Sequence, residues 1–334
     1  MPDYTQSTSL NSNRIIDTPT GLSDEMKQAM AQLPTPSLDA VKANSPSTQD
    51  QWLEQIHMVN TQQKKKVKAM RKHFNVSVEL MSVAGVNVRK VTPTHISTCF
   101  EDKVYIDFHG GAYVFFSGLP SIEEGILLAS RLGIVVYCVD YRMPPSSPFP
   151  KALDDAFTAY CHLKDNYGAH NIFVGGTSAG GGLALSLLQK LKQQNIELPI
   201  AVYAGTPWAD LTNTSDSLLI NEGVDRILVS YQGLLHAAAT LYAGKYSLTE
   251  PGVSPLHGDF TGLPPVILVS GTRDLFLSDT VRVNRKLREC AVRTQLEVFE
   301  GLSHADYLVA HNTLESLAVY KEIKQFFLTA ISTQ

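Results

Sequence analysis

From Val104 onward, short runs of β-branched and aromatic residues alternate with segments of helical period. The runs Val104–Phe108, Ile134–Asp140, Ile172–Val174, Ile200–Ala204, Val266–Ser270 and Gln295–Phe299 predict strands. The intervening and following stretches Ser121–Leu132, Phe149–Asn166, Ala179–Gln193, Leu277–Cys290 and Tyr307–Thr329 predict helices. Strands that are apolar on both sides and joined by helices imply a parallel sheet covered on both faces. Before them, Val76–Val91 partly alternates about Gly85, which predicts an antiparallel hairpin at a sheet edge.

Two stretches depart from this rhythm. Residues 1 to about 50 are rich in Ser, Thr, Asn, Gln and Pro, with helical patterns only around Ser23–Leu33 and Thr48–Met70, and read as a mobile arm followed by helices. Pro207 to Pro255 carries helical patterns but no buried strand, and reads as an insertion between two strands. A parallel sheet binds ligands beyond the carboxyl ends of its strands, so an insertion leaving from such an end covers the site. The expected organisation is an arm and cap helices in 1–70, core in 71–206, a cap insertion in 207–255 and core again in 256–334. No fixed-period repeat is visible, which excludes solenoids and propellers.

Chemistry enters at residues 172–182, where a strand runs into Gly-Gly-Thr-Ser-Ala-Gly-Gly-Gly and then a helix. Gly176-Thr177-Ser178-Ala179-Gly180 spells Gly-x-Ser-x-Gly in the strand–turn–helix setting that a nucleophilic serine requires. The bland alternative is a glycine-rich turn, and a phosphate cradle is excluded because neither dinucleotide nor P-loop spacing can be written across it. After the strand Val104–Phe108 comes His109-Gly110-Gly111-Ala112-Tyr113. Backbone N–H groups of Gly110, Gly111 and Ala112, joined by that of Ala179, are candidates to hold an oxyanion, with His109 bracing the loop.

A serine hydroxyl needs a base, and the base needs a carboxylate to fix its tautomer. With a serine elbow of this kind the acid and then the histidine follow in sequence. Of His236, His257, His304 and His311, only His304 stands on a loop directly after a strand; the first two lie in the insertion and His311 within the last predicted helix. Asp274 occupies the corresponding place after Val266–Ser270, with Arg273 a competitor for its charge. Asp279 is the rival acid, placed where a helix begins and accounted for there as a dipole or capping partner.

Composition narrows the partners. Apolar residues make up 44% and charged residues 18% of 334 positions, with a net charge of −4, so a packed core is expected and attraction to nucleic acid or anionic lipid is not. The run Lys64-Lys65-Lys66 with Lys68, Arg71 and Lys72 reads as a solvated helix face. The first twenty residues are polar and carry Asp3 before any basic residue, so a secretory leader is not expected, and no apolar stretch reaches the ~18 residues a membrane span needs. Cys99, Cys138, Cys161 and Cys290 are scattered without a CxxC pair, and a cytoplasmic location is the expectation. No His-x-x-x-His pair or Cys/His cluster has ligand spacing, so no metal is expected.

These motifs, in this order, resemble those of the hormone-sensitive-lipase-like family of α/β-hydrolases. The likeness runs from about Val104 to the C-terminus. It includes Asp140-Tyr141-Arg142, Pro148-Phe149-Pro150, Leu153-Asp154-Asp155, Pro207-Trp208-Ala209-Asp210-Leu211, Ser254-Pro255-Leu256 and Gly262-Leu263-Pro264-Pro265. The resemblance implies an α/β-hydrolase fold with a mostly parallel eight-stranded sheet, a two-part helical cap, no cofactor, and hydrolysis of short-acyl esters by Ser178, His304 and Asp274. The chain departs from the family in four places: Ala112 stands for the third glycine, Thr177 for Asp, Leu275 for Pro, and Ala305-Asp306 for Gly-Phe. A small-molecule ester is the implied partner, and a homodimer is left open. The same triad would serve a lactone or an activated amide, with cap residues such as Trp208, Tyr231 and Tyr242 deciding between them. A non-catalytic ligand receptor is the third reading.

Overall fold

The computed structural model describes residues 16–43 and 45–333. The mobile arm expected at the amino terminus lies outside the described residues over positions 1–15. Eight strands form one sheet: β1 (Ser77–Val83), β2 (Val86–Thr92), β3 (Val104–Phe108), β4 (Val135–Val139), β5 (Ile172–Thr177), β6 (Ala201–Gly205), β7 (Val266–Gly271) and β8 (Thr294–Phe299). Their spatial order is β1-β2-β4-β3-β5-β6-β7-β8, parallel from β4 to β8, with β2 antiparallel to both its neighbours. The β1–β2 hairpin turns at Ala84 and Gly85, both with positive φ (48° and 88°), the backbone that a two-residue hairpin loop demands.

Successive residues of a strand face opposite sides of the sheet, and this chain fills both sides. Ile106, Phe108, Val174, Val202 and Leu268 enter one core with the helices Lys151–Tyr167, Ala179–Gln193 and Leu277–Glu289. Tyr105, Phe173, Tyr203, Ile267 and Val269 enter the other, against Glu123–Leu128 and Leu314–Ser332. There Phe173 stacks on Phe327 with ring centroids 4.2 Å apart. The carboxyl ends of β3 to β8 lie along one rim. The order reverses between β3 and β5, because β4 lies on the far side of β3, and such a switch point opens a crevice at the rim.

Two predicted helices take a different form. Ser121–Leu132 resolves into a 3₁₀ turn at Leu119–Ile122, an α-helix at Glu123–Leu128 and a π turn at Ala129–Gly133. The last helix is broken, into Asp306–Val309 and Leu314–Ser332, so His311 lies in the break and not within a helix. Ala310 leaves helical space (φ −99°, ψ 58°), and Thr313 restarts the helix as an N-cap accepting from the Ser316 N–H. The Arg131 guanidinium donates to the carbonyls of His311 and, at 3.0 Å, Ser316 across this break.

Among the described residues, 207–255 contains the helices Ser217–Ile220 and His236–Ala243 and no strand. Its two ends are tied together where Leu256 N donates to Ala209 O (3.0 Å) and Leu211 N to Ser254 Oγ (2.8 Å). The helix Gln49–His73 opens with a capping box between Thr48 and Gln51. It lies against the segment after the glycine loop, where Asn60 Oδ1 accepts from Phe116 N (2.7 Å) and Trp52 meets Phe115. Lys64, Lys65, Lys68, Arg71 and Lys72 are exposed on it, whereas Lys66 pairs with Glu123 at 2.8 Å. Among the described residues no helix is long and apolar enough to cross a membrane.

Candidate active site

β5 ends and the helix Ala179–Gln193 begins within one residue, and Ser178 makes the turn with φ 62° and ψ −122°. A non-glycine residue holds such a backbone only when its surroundings enforce it. Here they do: a Cβ on Gly176 would stand 2.0 Å from the Phe108 carbonyl oxygen, and one on Gly180 would stand 1.7 Å from the same atom. Only glycine fits at either flank. Ser178 N donates to Gly205 O (2.8 Å), and Trp208 N to Ser178 O (3.0 Å), so the elbow is also held to β6.

The glycine loop leaves β3 alongside it. Gly111, Ala112 and Tyr113 all have positive φ (101°, 53° and 61°), turning this main chain sharply. Gly110 lies so near that a Cβ would stand 3.4 Å from Ser178 Cβ. The N–H groups of Gly111, Ala112 and Ala179 meet no backbone carbonyl among the described residues. His109 braces the loop: its Nδ1–H donates to Gly110 O (2.8 Å), its ring stacks on Tyr141 at 4.2 Å, and the Tyr141 hydroxyl donates to His109 O (2.6 Å). Burial brings its imidazole down to about 4, so it is neutral at physiological pH.

β7 and β8 deliver the remaining pair. Asp274 is fully buried, and its Oδ1 lies 3.0 Å from His304 Nδ1. Phe276 N (2.9 Å) and Ser270 Oγ (2.7 Å) also donate to this carboxylate. The ring of Phe276 packs edge-on against His304 at 4.9 Å. Burial works to lower the imidazole pKa, but the charge and hydrogen bond of Asp274, with Asp225 and Asp306, outweigh it and leave His304 above its ordinary value. Arg273 is not a competitor, since its guanidinium turns away to donate to Asp17 O. Asp279 is buried elsewhere, in the first turn of its helix. It accepts from Ala209 N (3.1 Å), Asp210 N (2.9 Å) and the Ser215 hydroxyl, and so anchors the root of the insertion and not His304.

Ser178, His304 and the loop Gly110–Ala112 line one cavity of about 310 Å³. Its walls are mainly apolar, from Phe115, Phe116, Leu228, Leu234, Leu235 and Leu308. Trp208, Tyr231 and Tyr242, the expected cap determinants, do not line it. Trp208 stacks on Phe276, Tyr242 on Tyr113, and the Tyr231 hydroxyl donates to Leu211 O. Among the described residues no group of three His, Cys, Asp or Glu side chains is placed to hold a metal ion.

Two features were not anticipated. The Thr177 hydroxyl donates to Glu124 Oε1 (2.7 Å), which Tyr203 also reaches (3.1 Å), and Tyr307 joins them. Burial pushes the Glu124 carboxyl up to about 7. The clue was a charged Glu123-Glu124 pair beside the apolar Ile122, Ile126, Leu127 and Leu128. Asp225, from the insertion, is also fully buried beside the Asp274–His304 pair. Nothing in its local sequence distinguishes it.

Residues 105–308 match the model of a family described as alpha/beta hydrolase fold. An esterase of Acinetobacter venetianus is 31% identical over 230 residues, covering 68% of this chain and 74% of that protein. A putative acetyl-hydrolase of Mycobacterium tuberculosis, LipR, is 30% identical over 68% of this chain and 72% of its own length. Among solved structures, esterase E25 superposes with a TM-score of 0.94 at 40% identity, covering 96% of this chain and 98% of that one. An esterase from the bacterial hormone-sensitive lipase family does so with 0.79 at 26%, covering 92% and 99%. The chain belongs to the hormone-sensitive-lipase-like family of α/β-hydrolases.

Proposed function

We propose that the protein is a serine carboxylesterase that hydrolyses short-acyl esters through a covalent acyl-enzyme. The observation that carries this reading is the meeting, in one cavity, of Ser178 on its elbow, His304 hydrogen-bonded to Asp274, and a glycine loop with free N–H groups. Ser178 Oγ attacks the ester carbonyl while His304 Nε2 takes its proton, and the tetrahedral oxyanion is held by the N–H groups of Gly111, Ala112 and Ala179. His304 then protonates the leaving alcohol and activates a water for deacylation. Asp274, an acceptor from three donors, fixes the tautomer.

The small, mainly apolar cavity supports a short acyl group and a substrate without charge at the scissile end. The helices before β1 and the 207–255 insertion form the cap in this reading. One link between them is the hydrogen bond from Arg226 Nη1 to Met30 O (3.1 Å). The names of the relatives, esterase and acetyl-hydrolase, agree with this chemistry.

The test is a panel of p-nitrophenyl esters, lactones and activated amides offered to wild type and Ser178→Ala. Wild type is expected to turn over acetate and butyrate esters best and laurate poorly, and to be labelled by a fluorophosphonate. Ser178→Ala is expected to lose nearly all turnover and the label while keeping its circular dichroism spectrum. Full turnover by the purified variant would overturn the assignment.

A further inference from the structure

The insertion reaches the reacting groups through residues 221–226. Asn221, buried, donates its amide N–H to Asp274 O (2.9 Å) and Thr272 O (3.2 Å). Asp225, four positions on, has no exposed surface. Its Oδ1 accepts from Ile227 N (2.8 Å) and Leu228 N (3.0 Å), a local turn of a kind that Asp often makes. Its Oδ2 does something different. It accepts from Leu275 N (2.9 Å) and His304 N (3.3 Å), residues 50 and 79 positions away in sequence, on the two loops that carry the acid and the base. Next to it, Arg226 N donates to Ser303 Oγ (3.1 Å).

We propose that Asp225, assisted by Asn221, is a positioning residue for the reaction. One carboxylate from the insertion grips the main chain beside Asp274 and at His304, holding the imidazole in register with the nucleophile. This rests on the triad reading above. The local turn accounts for one oxygen only, and the bonds of the other go to the two loops whose spacing decides whether Asp274 and His304 meet. A displacement of about 1 Å in such a pair is enough to cost orders of magnitude in rate.

Charge adds a second effect. The carboxylates of Asp274, Asp225 and Asp306 near His304 each favour the imidazolium that forms as Ser178 gives up its proton. Burial pushes the Asp225 carboxyl up to about 6, the neighbouring Asp274 adds to that, and His304 opposes it. Asp306 accepts from Ser303 N (2.6 Å) and is likewise raised, to about 6, by burial.

The experiment compares full-length wild type, Ser178→Ala, Asp225→Asn and Asn221→Ala on p-nitrophenyl acetate across pH, with circular dichroism to establish folding. Asp225→Asn keeps shape and one acceptor but removes the charge. It is expected to lower kcat by about tenfold or more, to leave KM within about twofold, and to shift the acid limb of kcat/KM to lower pH. Asn221→Ala is expected to lower kcat without moving the limb. A folded Asp225→Asn with wild-type kcat and an unmoved limb, or with its loss confined to KM, overturns the inference. Should Asp225→Asn not fold, wild-type kcat in Asn221→Ala overturns it instead. Ser178→Ala separates the two levels: retained turnover there sinks the triad itself, whereas loss there beside an unaffected Asp225→Asn sinks only the role of Asp225.

Discussion

In the proposed mechanism a serine hydroxyl yields its proton only to a neutral imidazole, so the protonation of His304 is expected to govern the acid side of the activity profile. Its folded pKa lies above the ordinary 6.5 because Asp274, Asp225 and Asp306 together overcome its burial. Activity is therefore expected to be lost as pH falls through a value above 6.5. Asp274→Asn is expected to move that limb to lower pH and to reduce kcat strongly. A kcat/KM profile flat well below 6.5 would contradict this account. At this scale much of the site was legible in the sequence. Gly176 and Gly180 announce a tight turn because no larger residue fits there, and His304 and Asp274 stand out because each directly follows a strand. Asp225 was not legible. Its partners Leu275 and His304 are distant in sequence, and only the folded chain brings them within hydrogen-bonding range. Glu124 lay between these cases, visible as a charge among apolar neighbours but silent about Thr177.

Among the elements, strands were the most legible, since β4, β6 and β7 each carry an unbroken apolar run filling both layers, and only single polar residues such as Asp107 in β3 or Gln295 and Glu297 in β8 interrupt the others. Helix interiors were less so. The continuous helix read over Tyr307–Thr329 is interrupted because Thr313 caps a new start and Arg131, from another element, satisfies the His311 carbonyl within the break and reaches Ser316 in the first turn beyond it. No local pattern encodes that rescue. Arg131 also lies 4.9 Å from the Tyr320 ring centroid, so it joins the π turn at Ala129–Gly133 to the last helix. Arg131→Met is expected to reduce folding stability by about 1–3 kcal/mol, the usual cost of orphaning buried polar groups. Urea denaturation followed by circular dichroism measures this, and an unchanged midpoint would show that the break closes without the guanidinium.

For the whole molecule, the buried carboxyls set how stability responds to pH. Burial raises Glu124 and Asp279 to about 7, and Asp225 and Asp306 to about 6, from ordinary values of 3.8 to 4.5. The folded chain thus holds protons that the unfolded chain releases, and the stability linked to them is present below their ordinary values and lost as pH rises to about 7. His304, also raised, acts in the same direction. His109 and His311, lowered to about 4 chiefly by burial, oppose this only up to 6.5. Four carboxyls outweigh two imidazoles, so the urea midpoint is expected to fall between about pH 5 and about pH 8. Combining Glu124→Gln with Asp279→Asn should flatten that fall; a midpoint that climbs over the same interval would refute the bookkeeping. A last consequence follows from the Phe108 carbonyl oxygen, which abuts both Gly176 and Gly180. Peptide backbone cannot be whittled down the way a side chain can. A methyl at either position therefore has no remedy by trimming a neighbour, and a lineage that acquires one regains its former geometry only by reverting the same codon.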